Sequence, residues 1–96
     1  MFILTEDVIK IGKSLSDNNR VEIIKILSNN EICACKLLEH LNITQPTLSH
    51  HMKQLVQSKL VEVTKKGQWS YYKLNQKTIN EFKKFLETSI ETKKQL

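Results

Sequence analysis

The sequence predicts a mainly helical fold with one small β-hairpin, a winged helix-turn-helix in the order α-α-α-α-β-β-α. Three observations predict it. Two short segments with helical apolar spacing flank a tight turn at residues 42–44. After Ser58 the spacing of apolar positions changes from helical to two, and after Asn75 it becomes helical again. Between the two β-rich stretches lies Lys65-Lys-Gly67-Gln, whose glycine permits a tight turn.

In chain order, Leu4, Val8, Ile11 and Leu15 recur at i, i+4, i+7 and i+11, which marks a first amphipathic helix. Ser16-Asp-Asn-Asn19 offers capping side chains for a second helix, in which Val21, Ile24 and Leu27, with Ile23, are apolar up to Ser28-Asn-Asn30. Ala34, Leu37, Leu38 and Leu41 form the stripe of a short third helix ending near Asn42. Thr44 is a suitable N-cap for a fourth, and Pro46 is tolerated in its first turn because those amides lack intrahelical partners. Leu48, Met52, Leu55 and Val56 define the buried face of that helix, which runs to about Ser58. Leu60-Val-Glu-Val-Thr64 and Trp69-Ser-Tyr-Tyr-Lys-Leu74 are the hairpin strands, with Val61, Val63, Tyr72 and Leu74 as the inner face. Asn75 caps a last helix with Ile79, Phe82, Phe85, Leu86 and Ile90 on its apolar side.

Residues 1–96 make one domain, and a chain of this size buries only about two-thirds of its unfolded surface. The first and last helices are oily for the ends of so small a unit, so they are the expected dimerisation surface. With 26% charged and 40% hydrophobic residues, the chain is neither disordered nor membrane-like. Met1-Phe-Ile-Leu4 runs directly into Thr5-Glu-Asp7 and lacks the basic start and long apolar core of a signal peptide. A cytoplasmic protein with reduced cysteines is therefore expected, with no membrane partner and no organic cofactor.

The net charge of +5 is unevenly spread. Residues 44–75 carry Lys53, Lys59, Lys65, Lys66 and Lys73 against Glu62 alone, whereas residues 1–43 carry five basic and six acidic residues. A solvated lysine-rich face has the same composition, but clustering around a helix-turn-helix is the footprint of a double-stranded DNA partner. At 100° per residue Pro46, His50, Lys53, Gln54 and Gln57 point outward on the fourth helix, with Thr47 and Ser49 on its flanks. Hydroxyls, imidazole and amides can bond base edges or phosphates, and Lys53 adds charge. His51 lies nearer the core and is expected to pack. The basic hairpin tip, Lys65 and Lys66, is placed to hold the backbone as a wing, giving affinity rather than sequence choice. Trp69, Tyr71 and Tyr72 fit hairpin packing better than single-strand stacking.

Cys33 and Cys35, the only cysteines, sit at the mouth of the third helix. Thiolates are soft-metal ligands, and a helix N-terminus with Lys36 nearby favours the thiolate form. Residues two apart on an ideal helix point about 200° from each other, whereas on extended backbone they project to one side. Sharing an ion is therefore expected to need the first turn of this helix unwound or absent. Thiol-redox sensing by the same pair is an alternative. A small thiol enzyme such as an arsenate reductase is weaker, because no phosphate-cradling glycine loop is present and no Arg follows either cysteine.

Glu31-Ile-Cys-Ala-Cys-Lys-Leu37 resembles the Glu-Leu-Cys-Val-Cys-Asp-Leu box of the ArsR/SmtB family of arsenic- and metal-responsive winged-helix repressors. Gln45-Pro-Thr-Leu-Ser-His-His-Met-Lys-Gln-Leu55 and Gly67-Gln-Trp-Ser-Tyr-Tyr-Lys-Leu74 also resemble that family, the latter its Gly-x-x-x-x-Tyr-x-Leu pattern. The resemblance implies a homodimer on a two-fold operator, released when a metalloid or metal binds. It places Gln45, Thr47, Ser49 and His50 as DNA contacts and Cys33 and Cys35 as ligands of As(III), Sb(III) or another soft ion. Some members have a third cysteine three residues after the second, where this chain has Leu38. Trivalent arsenic prefers three thiolates, so a two-cysteine site needs an exogenous thiol, hydroxide or water, or a different ion. Residues 76–96 hold no His or Cys, so the family's other site, on the last helix, is absent.

Overall fold

The computed structural model describes residues 3–28 and 30–93, with side chains as far as residue 89. Met1, Phe2 and the side chain of Ile90 lie outside these. Helices α1 (Thr5–Ser14), α2 (Asn18–Leu27), α3 (Ala34–His40) and α4 (Gln45–Gln57) precede strands β2 (Val61–Lys66) and β3 (Trp69–Leu74) and helix α5 (Gln76–Lys93). A two-residue strand, β1 (Ile32–Cys33), was not expected and makes the sheet three-stranded, in the order β1-β3-β2. It pairs antiparallel with β3, Ile32 opposite Tyr72 and Cys33 opposite Tyr71. No helix among the described residues is long and apolar enough to cross a membrane.

The helix starts follow local chemistry. Asp17 Oδ1 accepts the amides of Asn19 at 2.8 Å and Arg20 at 3.2 Å, which makes it the cap of α2. Thr44 accepts the Thr47 amide at 3.4 Å and caps α4. Asn75 accepts the Thr78 amide at 3.3 Å at the start of α5. Each satisfies backbone donors that a helix leaves open.

Ile11, Ile23, Leu27, Leu37, Leu48, Met52, Leu55, Leu60 and Val61 form one core joining α1 to α4 with the foot of β2. Burying each such side chain contributes about 1.5–3 kcal/mol. The periodic reading holds for Ile11, Leu27 and the α4 face. It fails at Leu4 (58% exposed) and Val21 (39%), which face away from the core, and at Val63 (41%), which lies on the edge strand while its partner Tyr72 on the central strand packs on the core. Ile79 and Phe82 pack on the core, whereas Phe85 and Leu86 of α5 are exposed, as is Ile9 of α1.

The hairpin ladder runs from Val61 opposite Leu74 to Lys66 opposite Trp69, so Lys65 and Lys66 are strand residues and the loop is only Gly67 and Gln68. Gly67 has φ +65° and Gln68 does not share the positive sign, the pattern of a type II′ hairpin turn.

Candidate nucleic-acid interface and thiol site

Helix α4 presents Gln45, Thr47, Ser49, His50 and Lys53 to solvent, with Pro46 and Gln57 beside them. The opposite face, Leu48, His51, Met52 and Leu55, is buried. Gln54 is half-buried and, with Lys10, Lys13, Gln57 and Ser58, lines a cleft between α4 and α1; it is less outward than the helical wheel predicts. The Thr47 hydroxyl lies 2.9 Å from that of Thr44, so the first turn is braced by its own cap. Free amides at this end and exposed hydroxyls and amides beyond it suit phosphates and base edges.

His51 is 6% exposed and braces α4 from behind. Arg20 donates Nε to the Ser14 carbonyl at 2.7 Å, and its Nη1 lies 3.0 Å from His51 Nδ1. A guanidinium only donates, so Nδ1 is the acceptor and the ring proton sits on Nε2, which is 3.8 Å from Asp17 Oδ1. Burial, helped by the Arg20 and His50 charges and opposed by Asp17, lowers the His51 pKa from its ordinary 6.5. Burial pushes Asp17 up, but the Arg20 and Asn19 amides and the His51 and Arg20 charges outweigh it, holding its carboxyl below 3.8. Arg20, which links α1, α2 and α4, escapes periodicity arguments. Its one signal is being the only arginine in a lysine-rich chain, because a planar fork can bond several acceptors at once.

This cluster fixes the sign of a pH effect. The fold prefers neutral His51, so the unfolded chain takes up that proton first. The His51 contribution is complete above pH 6.5 and is lost as pH falls through the folded value. Asp17 adds stability that is complete above pH 3.8 and is lost on further acidification. Urea midpoints are expected to fall between pH 7.5 and pH 5 in the wild type, and His51→Gln is expected to flatten that step. An equal fall in the variant would remove His51 as its source.

The two wing lysines differ. Lys65 is exposed and in no ion pair among the described residues. Lys66 Nζ lies 2.6 Å from Glu31 Oε1 and 4.8 Å from the centre of the Tyr71 ring, and bonding to Glu31 raises its pKa. The charge of Lys66 is thus partly committed inside the chain.

The thiol geometry corrects the expectation of an unwound helix. Cys33 is not helical: it ends β1 with φ −67° and ψ 144° and is the N-cap of α3. Its sulfur accepts the Cys35 amide at 3.4 Å and lies 2.7 Å from Cys35 Sγ, with α3 intact from Ala34. One extended residue beside the first turn swings both sulfurs to the same side, so the 200° argument does not apply. Cys33 is buried and Cys35 exposed, and both are free thiols. The hydrogen bond from Cys35 lowers the Cys33 pKa, reinforced by the Cys35 and Lys36 amides against a burial penalty. The same bond raises that of Cys35, so only one thiol is acidified rather than both.

Two thiols this close suit a soft ion, whose bonds to sulfur are about 2.3 Å for zinc, after a small opening at exposed Cys35. Among the described residues no group of three His, Cys, Asp or Glu could hold a metal. The pair opens instead onto an open surface groove of about 570 Å³ lined by Ile32, His40, Trp69 and Tyr71, with exposed Glu31 and Lys36 beside them.

Residues 17–63 match the family described as bacterial regulatory protein, arsR family. The arsenical resistance operon repressor of Staphylococcus aureus is 55% identical over 65 residues, 68% of this chain and 62% of that repressor. The chain therefore spans less than two-thirds of that relative's length. An HTH-type transcriptional regulator of Methanocaldococcus jannaschii is 32% identical over 83 residues, 85% of this chain and 93% of the relative. In fold, the chain resembles the homodimeric winged helix-turn-helix DNA-binding domain of a possible ArsR-family regulator from Mycobacterium bovis. The TM-score is 0.72 at 21% identity, covering 95% of this chain and 85% of that one. These relatives are regulators rather than enzymes, and the chain belongs to the arsR family of bacterial regulatory proteins.

Proposed function

We propose that this chain is a homodimeric, sequence-specific DNA-binding repressor of the cytoplasm that releases its operator when a metalloid or soft metal ion binds Cys33 and Cys35. The observation that carries this reading is the 2.7 Å sulfur pair at the start of α3, one short helix and one turn before the exposed face of α4. Gln45, Thr47, Ser49 and His50 read the major groove, Lys53 and Lys65 meet phosphates, and Lys66 does so more weakly because Glu31 competes for it. The staphylococcal relative's role in arsenical resistance favours arsenite or antimonite as effector.

An ion shifts DNA affinity only through its different affinities for the two states. Capture of Cys33 Sγ competes with its bond to the Cys35 amide and so loosens the cap of α3, the helix that one short turn joins to α4. The exposed Leu4 and Ile9 near α1 and Phe85 and Leu86 on α5 supply the dimer surface. The Mycobacterium domain, homodimeric with the same fold, supports that arrangement. Two reading helices then meet successive major grooves about 34 Å apart. The closeness of the sulfurs and the acidified Cys33 also favour a second reading, release by oxidation of the pair to a disulfide.

The test is fluorescence anisotropy on DNA from around the chain's own gene, with arsenite, antimonite, cadmium, lead, zinc and hydrogen peroxide. Arsenite or antimonite is expected to lower affinity about tenfold or more, a typical coupling, and Cys33→Ser/Cys35→Ser to abolish the response. A double variant that responds like wild type would refute sensing at this pair. Absence of DNA binding even at low salt would remove the repressor reading.

A further inference from the structure

We propose that the groove beside the thiol pair is a subsite for a small anionic thiol, which completes the coordination of a trivalent metalloid as its third sulfur ligand. This rests on the metalloid reading of Cys33 and Cys35 and names the group that makes the site whole. A trivalent pnictogen forms three bonds, the chain supplies two sulfurs, and among the described residues no third donor accompanies them. The third bond must be made to something from solution. Beside the pair, where that something would lie, is an open groove of about 570 Å³, large enough for a small organic molecule.

The walls define the chemistry of the occupant. Trp69, 48% exposed on a wing strand, and Tyr71 beside it offer flat apolar surface. An exposed tryptophan beside a concavity is suited to cover the methylene and amide body of a small peptide-like thiol. At the rim, Glu31 is neutralised by Lys66 at 2.6 Å, whereas Lys36 is in no ion pair among the described residues. The local balance is therefore positive and favours a carboxylate-bearing thiol over a neutral one. Cys35, the exposed member of the pair, is the sulfur nearest to solvent and can share an ion with an incoming ligand.

The exchange is balanced without any oxidant or reductant. Arsenous acid loses three As–O bonds and gains three As–S bonds, two to Cys33 and Cys35 and one to the small thiol. The three thiol protons leave with the three hydroxides as water.

Trp69 is the only tryptophan, so its emission reports occupancy of the groove directly. The full-length protein, reduced beforehand and desalted without air, is titrated with arsenite alone, with glutathione alone, and with both. 2-Mercaptoethanol serves as a neutral small thiol in a parallel series. Native mass spectrometry and DNA anisotropy follow the same samples. The expected result is a protein–arsenic–glutathione species that quenches Trp69, with arsenite affinity raised about tenfold or more by glutathione and less by 2-mercaptoethanol. Trp69→Ala and Lys36→Glu, which leave both cysteines in place, are expected to weaken the glutathione effect about fivefold while retaining arsenite binding. Arsenite that binds and releases DNA equally well without any thiol, with no thiol in the complex by mass, would overturn the subsite while leaving the sensor standing. No arsenite binding under any condition would overturn both.

Discussion

Leu37→Ala is expected to destabilise the domain by about 2–5 kcal/mol, the range for emptying a fully buried leucine site. That is a large fraction of the roughly 5–15 kcal/mol that holds a domain of this kind folded. Leu37 is 0% exposed and is the fully buried side chain of α3, a helix of only seven residues. So short a helix has little stability of its own and depends on this anchor. Leu37→Met, which nearly conserves volume, should cost less than about 1.5 kcal/mol. Urea denaturation followed by circular dichroism gives both values. A loss under about 1 kcal/mol for the alanine variant would mean that α3 is held mainly by β1 and its cap.

Neutralising Lys53 and Lys65 together is expected to weaken operator binding about 100-fold at physiological salt. It should also lower the slope of log affinity against log salt by about 3–4, because a homodimer loses four phosphate contacts at about 0.9 each. Lys66→Ala should change the slope less than Lys65→Ala, since Lys66 already holds Glu31 at 2.6 Å. Equal slopes for the two single variants would show that the Glu31 pair opens freely on DNA. A slope unchanged in the Lys53→Ala/Lys65→Ala protein would remove both residues from the interface.

What the sequence made legible is what depends on near neighbours. The caps at Asp17, Thr44 and Asn75 act over two or three residues, and the buried face of α4 follows from spacing alone. β1 was not legible, because two residues carry no period and become a strand only when β3 arrives from some forty positions away. Val63 was misplaced for a related reason: alternation assigns a face but not how far the core extends beneath it. The contact of Arg20 with His51 joins residues 31 apart, and the pairing of Lys66 with Glu31 joins residues 35 apart; neither follows from periodicity. The thiol pair was legible as chemistry and misread as geometry, since a helix boundary one residue earlier or later reverses which sulfurs can meet.

Tyr71 and Tyr72 are the residues of β3 that face a strand on each side: Tyr71 lies between Cys33 and Thr64, and Tyr72 between Ile32 and Val63. The wing is therefore clamped along its middle by the same short strand whose last residue, Cys33, carries one sulfur of the thiol pair. If effector binding at Cys33 disturbs this pairing, the hairpin is expected to lose hydrogen-exchange protection at its centre before its tip. The thiol pair and the wing thus share one short strand, and under the proposed sensing the hairpin would register the state of the thiols as well as meet DNA.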